Sequence, residues 1–171
     1  MTGALYAGVN AALITAVGAD LSPDHARTAG FAKWLLSHGC DSLGVLGTTG
    51  EAASFGLAER RGVLEALVGA GVPAARLMPG TGLPNITDTV ELSRHAREVG
   101  CPGVLVLPPY YYKAPTDDGL FAYYAEVIER TGPGLAFYLY HFPAQSAVPL
   151  SLELVGRLIE AFPGVVRGIK D

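Results

Sequence analysis

The sequence predicts an α/β fold in which short apolar strands alternate with longer amphipathic helices. Strand candidates begin near Val9, Ser42, Arg76, Gly103, Leu135 and Val165. Their spacing of about 30 residues is the length of a strand, a helix and two loops. The strands are almost continuously apolar, which is typical of a parallel sheet buried on both faces. Two architectures fit this pattern: a doubly wound open sheet and part of a (β/α)8 barrel.

Helix signals occupy the segments between these strands. Ser22-Pro23-Asp24 offers an N-cap, a proline at the first helical position and an early acid, for a helix that Gly39 ends. Further helices are predicted over 57–68, from Asn85 or Thr87 to near Gly100, and from Ser151 to near Phe162. No G-x-G-x-x-G follows the first strand, which weakens the nucleotide-binding version of the open sheet.

Composition narrows the class of protein. The 171 residues are enough for one domain with a sizeable core, and only 16% of them are charged, so the chain is globular rather than disordered. A net charge of −4 without a basic run argues against nucleic-acid binding. The uncharged stretch 131–152 contains three prolines, which argues against a membrane span.

The two cysteines, Cys40 and Cys101, each follow a predicted helix and precede a predicted strand. Small buried thiols fit these positions, and no disulfide framework is implied. The N-terminus lacks the cationic region of a secretory signal. We therefore expect a cytoplasmic protein without nucleic-acid or membrane partners.

Both architectures place functional sites at the carboxyl ends of strands. The second strand runs into Gly47-Thr48-Thr49-Gly50-Glu51, where backbone N–H groups and hydroxyls could bind a small anion. An ordinary tight turn with a capping threonine is the alternative. The fourth strand, Gly103 to Leu107, runs into three consecutive tyrosines, Tyr110–Tyr112, which either pack at the rim or supply a phenol to a site.

The fifth and sixth strands end in Tyr140 and Lys170. If these strands pair in sequence order, the two side chains lie side by side, and Gly168 leaves space beneath the lysine. Lost hydration at an apolar strand end would favour a neutral amine, which attacks carbonyls to give a Schiff base while a phenol moves protons. A lysine that simply emerges into solvent is the alternative.

The histidines show no metal-ligand spacing. His25, His38 and His95 fall on predicted helices and are expected to face solvent, and His141 is expected to face away from the site.

Four segments together resemble the dihydrodipicolinate synthase and N-acetylneuraminate lyase family. They are Gly47-Thr48-Thr49-Gly50-Glu51, Pro109-Tyr110-Tyr111, Tyr140-His141-Phe142-Pro143 and Gly168-Ile169-Lys170-Asp171. The resemblance implies a (β/α)8 barrel, Schiff-base chemistry on pyruvate or a related 2-oxo acid, no metal cofactor and commonly a tetramer. On this basis residues 1–171 are expected to form a single domain, the N-terminal portion of a barrel truncated after its sixth strand.

The resemblance also implies roles for individual residues. Lys170 matches the lysine that forms the imine, and Tyr140 matches the tyrosine that shuttles protons. Thr48 matches a threonine that relays between tyrosines, and Thr49 one that binds the carboxylate of the 2-oxo acid. Tyr111 matches a tyrosine that reaches across a subunit interface in synthase members.

One departure from the family pattern concerns the second substrate. Synthase members carry an arginine that binds the carboxylate of the aldehyde, and this chain has Gln145 at that position. Glutamine cannot form a charge-assisted bidentate pair with a carboxylate, but it suits hydroxyls, and Ser146 would add another hydroxyl. Lys113 could restore a positive charge from another loop.

A 2-keto-3-deoxy sugar acid is therefore the expected kind of substrate, handled by an aldolase or by a dehydratase that uses the same imine. The alternatives are 4-hydroxy-tetrahydrodipicolinate synthase proper, a non-catalytic α/β domain that binds a small anion, and an inactive fragment.

Overall fold

The computed structural model describes residues 5–171 and divides into two compact units. The first is formed by the chain up to Gly80 together with His95–Gly103, and the second by Thr81–Arg94 and Val104–Asp171. Each unit carries one three-stranded sheet in sequence order.

In the first unit, strand β1 (Asn10–Ala12) pairs in parallel with β2 (Ser42–Val45), which pairs in parallel with β3 (Leu77–Pro79). Helix α1 (His25–Ser37) connects β1 to β2, and α2 (Leu57–Gly69) connects β2 to β3. The buried residues of this unit include Leu13, Leu43, Val63, Leu67 and Leu77.

Helix α3 (Ile86–Glu98) precedes the second sheet, whose strands are β4 (Gly103–Val106), β5 (Ala136–Tyr140) and β6 (Val166–Lys170). Between these strands lie α4 (Asp117–Thr131), the short α5 (Pro143–Ser146) and α6 (Leu152–Ala161). Strands β5 and β6 are parallel. The buried residues here include Tyr124, Phe137, Leu139, Leu154 and Leu158.

The predicted strands are confirmed, and each begins within one residue of its predicted start. Two of them are shorter than expected. β2 ends at Val45 because Leu46 adopts a left-handed conformation, with φ 54°, and opens the following loop. β4 ends at Val106, so Leu107 belongs to the loop that leads to the tyrosines.

Two of the predicted helix caps are confirmed, and one is wrong. Ser151 accepts a hydrogen bond from the Leu154 N–H at 3.0 Å, and the Asn85 side chain accepts from the Asp88 N–H at 2.8 Å. Ser22 does not cap α1. Asp24 does, because its carboxylate accepts from the Arg27 N–H at 3.0 Å.

The reason lies in the turn before α1. The Asp24 N–H donates to the Ala16 carbonyl at 2.7 Å, and this backbone contact holds the preceding residues in a returning turn outside the helix. The Ser22 hydroxyl donates instead to the Asp20 carboxylate at 2.8 Å, so the helix begins at His25.

His25 and His38 are exposed as predicted, whereas the prediction for His95 is wrong. His95 is 6% exposed, and its Nε2 lies 2.7 Å from Oε1 of Glu65 on α2. The carboxylate satisfies the buried ring, which makes the burial of a polar side chain tolerable. No sequence pattern identifies this partner, because it lies 30 positions away along the chain.

Both cysteines are free thiols; Cys101 is buried as predicted, whereas Cys40 is only half-buried. Burial raises the pKa of Cys101 to about 12. Over residues 5–171, no helix is both long and apolar enough to cross a membrane.

Replacing Asp24 by alanine tests the observed cap of α1. We expect the free energy of unfolding to fall by about 1 kcal/mol, because the Arg27 N–H loses its acceptor. Ser22→Ala is the matched control and should change it little. Denaturant unfolding of the two variants distinguishes the caps, and a larger loss for Ser22→Ala would contradict this assignment.

Candidate active site

The carboxyl ends of β5 and β6 bring two of the predicted residues together. The register pairs Tyr138 with Gly168, Leu139 with Ile169, and Tyr140 with Lys170. Because side chains alternate along a strand, Tyr140 and Lys170 share one face of the sheet. The predicted side-by-side placement of these two residues is confirmed.

The contact between them is specific in its geometry. The Lys170 Nζ lies 4.1 Å from the centroid of the Tyr140 ring, over its face. An ammonium in this position is attracted by the negative face of the ring. The Tyr140 side chain is 4% exposed, and its ring stacks against Phe142 at 5.9 Å between centroids. Burial and stacking therefore fix the Tyr140 ring against which the Lys170 amine lies.

Lys170 itself is exposed in this chain, so the predicted loss of hydration is not found. Strand β6 lies at the edge of the second sheet as described, and its residues from Ile169 onward are exposed. Lys170 therefore lies beside Tyr140, as the Schiff-base interpretation requires. It also faces solvent, as the alternative interpretation requires.

The predicted space beneath the lysine is filled. A Cβ placed on Gly168 would lie 3.0 Å from Cδ1 and Cε1 of the Tyr138 ring. Tyr138 therefore packs across the glycine, two pairs below Tyr140 and Lys170 in the ladder and on the same face. Burial raises the pKa of the Tyr138 phenol, and the positive charge of Arg167 partly opposes this effect.

The residues that follow the two site residues are also in contact. The His141 N–H donates to the Lys170 carbonyl at 2.8 Å, and the His141 Nδ1 lies 2.9 Å from Oδ1 of Asp171. That His141 faces away from the site stays a prediction, and the sequence did not identify Asp171 as the partner of its side chain.

The glycine-threonine loop lies in the first unit, after β2. A Cβ on Gly50 would lie 2.9 Å from the Leu13 carbonyl oxygen, so only glycine fits there. The Thr15 hydroxyl donates to the Gly50 carbonyl at 2.7 Å, and the Ala52 N–H donates to the Gly47 carbonyl at 3.3 Å. These contacts fix the loop.

The two threonines of this loop, Thr48 and Thr49, have exposed side chains. The Glu51 N–H donates to the Thr48 carbonyl at 3.0 Å, which closes a turn. The loop is thus a tight turn that also presents two hydroxyls, so the anion site and the simple turn both remain open.

The tyrosine segment after β4 lies in the second unit. Tyr111 is 73% exposed, and its ring meets that of Tyr112 edge to face, with 5.4 Å between centroids. The Lys113 Nζ donates to the Tyr110 carbonyl at 2.6 Å, so this amine is held by its own loop.

Gln145 lies on α5, and its side chain is exposed. A side chain that contacts a substrate must be accessible in this way. The expected contribution of Ser146 is wrong. Its side chain is 3% exposed, and its hydroxyl contacts the Phe142 carbonyl and the backbone of Val148. The helical turn of α5 directs the Ser146 hydroxyl inward, where it bonds the backbone on both sides of the turn between Phe142 and Val148.

Among residues 5–171, no group of three or more His, Cys, Asp or Glu side chains could hold a metal ion. The Lys170 amine lies on the face of the buried Tyr140 ring, at the carboxyl ends of the parallel strands β5 and β6.

Comparison with known proteins gives a consistent result. Residues 5–171 match the model of the dihydrodipicolinate synthetase family. The 4-hydroxy-tetrahydrodipicolinate synthase of Rhizobium meliloti is 34% identical over 98% of this chain and 55% of its own length.

Two solved structures are also similar. Dihydrodipicolinate synthase from Agrobacterium tumefaciens superposes with a TM-score of 0.93 and 39% identity, over 96% of this chain and 57% of that one. YagE from Escherichia coli K12, a family member solved with pyruvate, gives a TM-score of 0.88 and 32% identity, over 98% and 55%. The chain thus spans about half the length of these relatives. The predicted fold class is confirmed as the N-terminal part of a (β/α)8 barrel.

Gly168→Ala tests the packing beneath the lysine. The added methyl group overlaps the Tyr138 ring, so we expect the free energy of unfolding to fall by about 1–3 kcal/mol. Adding Tyr138→Leu should recover part of the loss. Gly156→Ala on α6, where a Cβ meets nothing within 4 Å, is the matched control and should be neutral or stabilising. Denaturant unfolding measures all three, and a neutral Gly168→Ala would contradict the packing.

Proposed function

The chain belongs to the dihydrodipicolinate synthetase family, and from this premise we propose that it carries the Schiff-base centre of an aldolase or lyase acting on pyruvate or a related 2-oxo acid. The observation that supports this most directly is the placement of Lys170 on the Tyr140 ring, at the carboxyl ends of β5 and β6. Sites of (β/α)8 enzymes lie at this end of their strands.

In the proposed reaction, Lys170 first gives up a proton, and its amine then attacks the C2 carbonyl carbon of pyruvate. A carbon–nitrogen double bond forms, and the carbonyl oxygen leaves as water after accepting protons. The Tyr140 phenol would transfer these protons, since its buried ring lies against the amine. The imine then withdraws electrons from C3, which loses a proton and becomes a nucleophile for an aldehyde carbon.

The other candidates are assigned by the resemblance. Thr49 would bind the carboxylate of the 2-oxo acid, and Thr48 would relay protons. The exposure of both side chains on a fixed turn supports these roles. Gly47 and Gly50 shape the turn, and Gly50 has no space for a side chain.

We further propose a homotetramer in the cytoplasm that needs no cofactor. Tyr111 would contact a second subunit, and its 73% exposure leaves it available for that contact. The single-domain organisation of residues 1–171 also stays a proposal.

Gln145 supports a hydroxylated second substrate. Its exposed amide offers one donor group and one acceptor oxygen, and Lys113 is bound to the Tyr110 carbonyl on its own loop. We therefore propose a 2-keto-3-deoxy sugar acid as the substrate, cleaved or dehydrated through the imine. The alternative is the synthase reaction proper, which the name of the R. meliloti relative favours.

Borohydride trapping tests the role of Lys170. Incubation with pyruvate and borohydride should add the mass of pyruvic acid less one oxygen, because hydride reduces the imine to a secondary amine. Lys170→Ala should abolish this adduct, whereas Lys113→Ala should not. Since the chain spans about half of its relatives, the test is run on the 171-residue chain and on the same chain joined to the remainder of the A. tumefaciens synthase. An adduct that persists in Lys170→Ala in both proteins would exclude the role.

Tyr140→Phe tests the proton transfer. Loss of the phenol should slow adduct formation by about 100-fold or more, with the fold unchanged, because only an acid–base group is removed. Tyr138→Phe is the matched control on the same strand face and should change the rate little. Stopped reactions analysed by mass spectrometry give both rates. Equal rates in wild type and Tyr140→Phe would remove Tyr140 from the mechanism.

Substrate preference tests the assignment of Gln145. The kcat/KM of the joined protein should be higher for a 2-keto-3-deoxy sugar acid than for pyruvate with aspartate semialdehyde. Gln145→Arg should shift this ratio toward the semialdehyde by about 10-fold or more, the worth of a charge-assisted hydrogen bond. A wild-type preference for the semialdehyde would show that the synthase reaction is the correct one.

A further inference from the structure

We propose that Arg60 on α2 is a positioning residue for the glycine-threonine loop 47–50. It holds the Gly80 carbonyl, and through it the backbone path that presents Thr49 to the carboxylate of a 2-oxo acid. This inference rests on the proposed function, because it concerns the affinity of the same loop for the same substrate. Arg60 takes no part in the chemistry proposed above.

Arg60 is a buried charge directed at the end of a strand. The residue is 3% exposed, and its Nη2 donates to the Gly80 carbonyl at 2.8 Å. Gly80 directly follows β3. Burial of a guanidinium costs free energy unless its N–H groups are hydrogen-bonded, and a charged donor makes a strong bond to a carbonyl. The arginine therefore ties α2 to the carboxyl end of β3.

Gly80 in turn lies against the backbone that leaves β2. Its N–H donates to the Val45 carbonyl at 2.7 Å. A Cβ placed on Gly80 would overlap the Leu46 carbonyl oxygen and would lie 3.5 Å from the Gly47 Cα. No side chain fits between these backbone segments, so any movement of Gly80 acts directly on Leu46.

Leu46 is the strained residue from which the loop begins. Its φ of 54° lies in the left-handed region, which a leucine rarely adopts, and the residue is 3% exposed. Such a conformation costs free energy and persists only where surrounding contacts hold it. The contacts around Leu46 therefore decide whether the loop keeps its path.

Two glycines contact the Leu46 backbone, and each is held by a side chain from another part of the chain. Gly80 meets the carbonyl oxygen, whereas a Cβ on Gly50 would lie 3.0 Å from the Leu46 N and 3.1 Å from its Cα. Arg60 donates to the Gly80 carbonyl, and the Thr15 hydroxyl donates to the Gly50 carbonyl at 2.7 Å. Both side chains thus act on the same strained residue.

The conformation of Leu46 sets the direction in which the loop continues. Rotation of Leu46 toward the extended region would reorient its peptide bond to Gly47, and with it the path of Thr48 and Thr49. Hydrogen bonds weaken steeply when distance and angle change, so a displaced hydroxyl binds a carboxylate less well. Loss of the Arg60 contact should therefore lower the affinity for the substrate rather than the reactivity of the amine, whose strand belongs to the other sheet.

The experiment measures the rate of borohydride-trapped adduct formation over a range of pyruvate concentrations, with the same two proteins as the Lys170 test. Arg60→Met keeps a long side chain and removes the donors. The pyruvate concentration for half-maximal rate should rise about 10-fold, the worth of a hydrogen bond to the carboxylate, and the maximal rate should change by less than about 2-fold. Thr15→Val should act in the same direction, because Gly50 loses its donor.

Arg61→Met is the matched control, since Arg61 is the next residue of α2 and is exposed, and it should leave both parameters unchanged. Arg60→Lys keeps a cationic donor and should recover part of the affinity. Circular dichroism verifies that each variant is folded. Where Arg60→Met does not fold, Arg60→Gln, whose shorter side chain withdraws the donor, takes its place with the same expected result.

The methyl ester of pyruvate separates a carboxylate effect from a general one. It lacks the charged carboxylate, so at low concentration it should form its adduct equally fast with wild type and with Arg60→Met. A purely structural role would instead reduce the amount of active protein. It would lower the maximal rate with both compounds and leave the half-maximal pyruvate concentration unchanged.

The failures are distinguishable. If wild type forms the adduct and Arg60→Met has the same half-maximal pyruvate concentration, or loses as much rate with the ester as with pyruvate, the positioning role is overturned and the proposed function stands. If wild type forms no adduct in either protein, the proposed function falls, and the positioning role falls with it.

Discussion

The parallel register between β5 and β6 is the constraint on which the candidate site depends. It places Lys170 opposite Tyr140, and the amine lies 4.1 Å from the centre of that ring. Two pairs lower, it places Tyr138 across Gly168. A shift of one residue would turn the lysine to the opposite face, away from the Tyr140 ring. The chemistry proposed for this family member therefore depends on backbone hydrogen bonds before it depends on any side chain.

Much of this arrangement was predictable from local sequence. Apolar runs bounded by glycine and proline mark the strands, because parallel strands are buried on both faces. The pairing of Tyr140 with Lys170 followed from two assumptions, a side-chain period of two and neighbouring strands in sequence order, and both hold. Gln145 was recognised by its place relative to Pro143, and its exposure agrees with contact to a substrate.

The remaining features depend on partners that are distant in sequence or on the exact backbone path. His95 is buried because Glu65 meets it, and Asp24 replaces Ser22 as the cap because the preceding turn folds back onto Ala16. The inward Ser146 hydroxyl reflects the turn of α5. The ring that lies over Gly168 belongs to Tyr138, because β5 places this residue opposite the glycine. Burial and occupied space are tertiary properties, and residue spacing alone does not determine them.

The most direct measurement of the register is the nuclear Overhauser effect between side chains at the ends of β5 and β6, recorded on the uniformly labelled chain. We expect cross-peaks from the Lys170 methylene protons next to Nζ to the Tyr140 ring, since the amine lies on its face. Cross-peaks should be absent in Tyr140→Leu at the same frequencies. Cross-peaks from these protons to Leu139 or His141, without any to Tyr140, would show a one-residue slip and contradict the pairing of Tyr140 with Lys170.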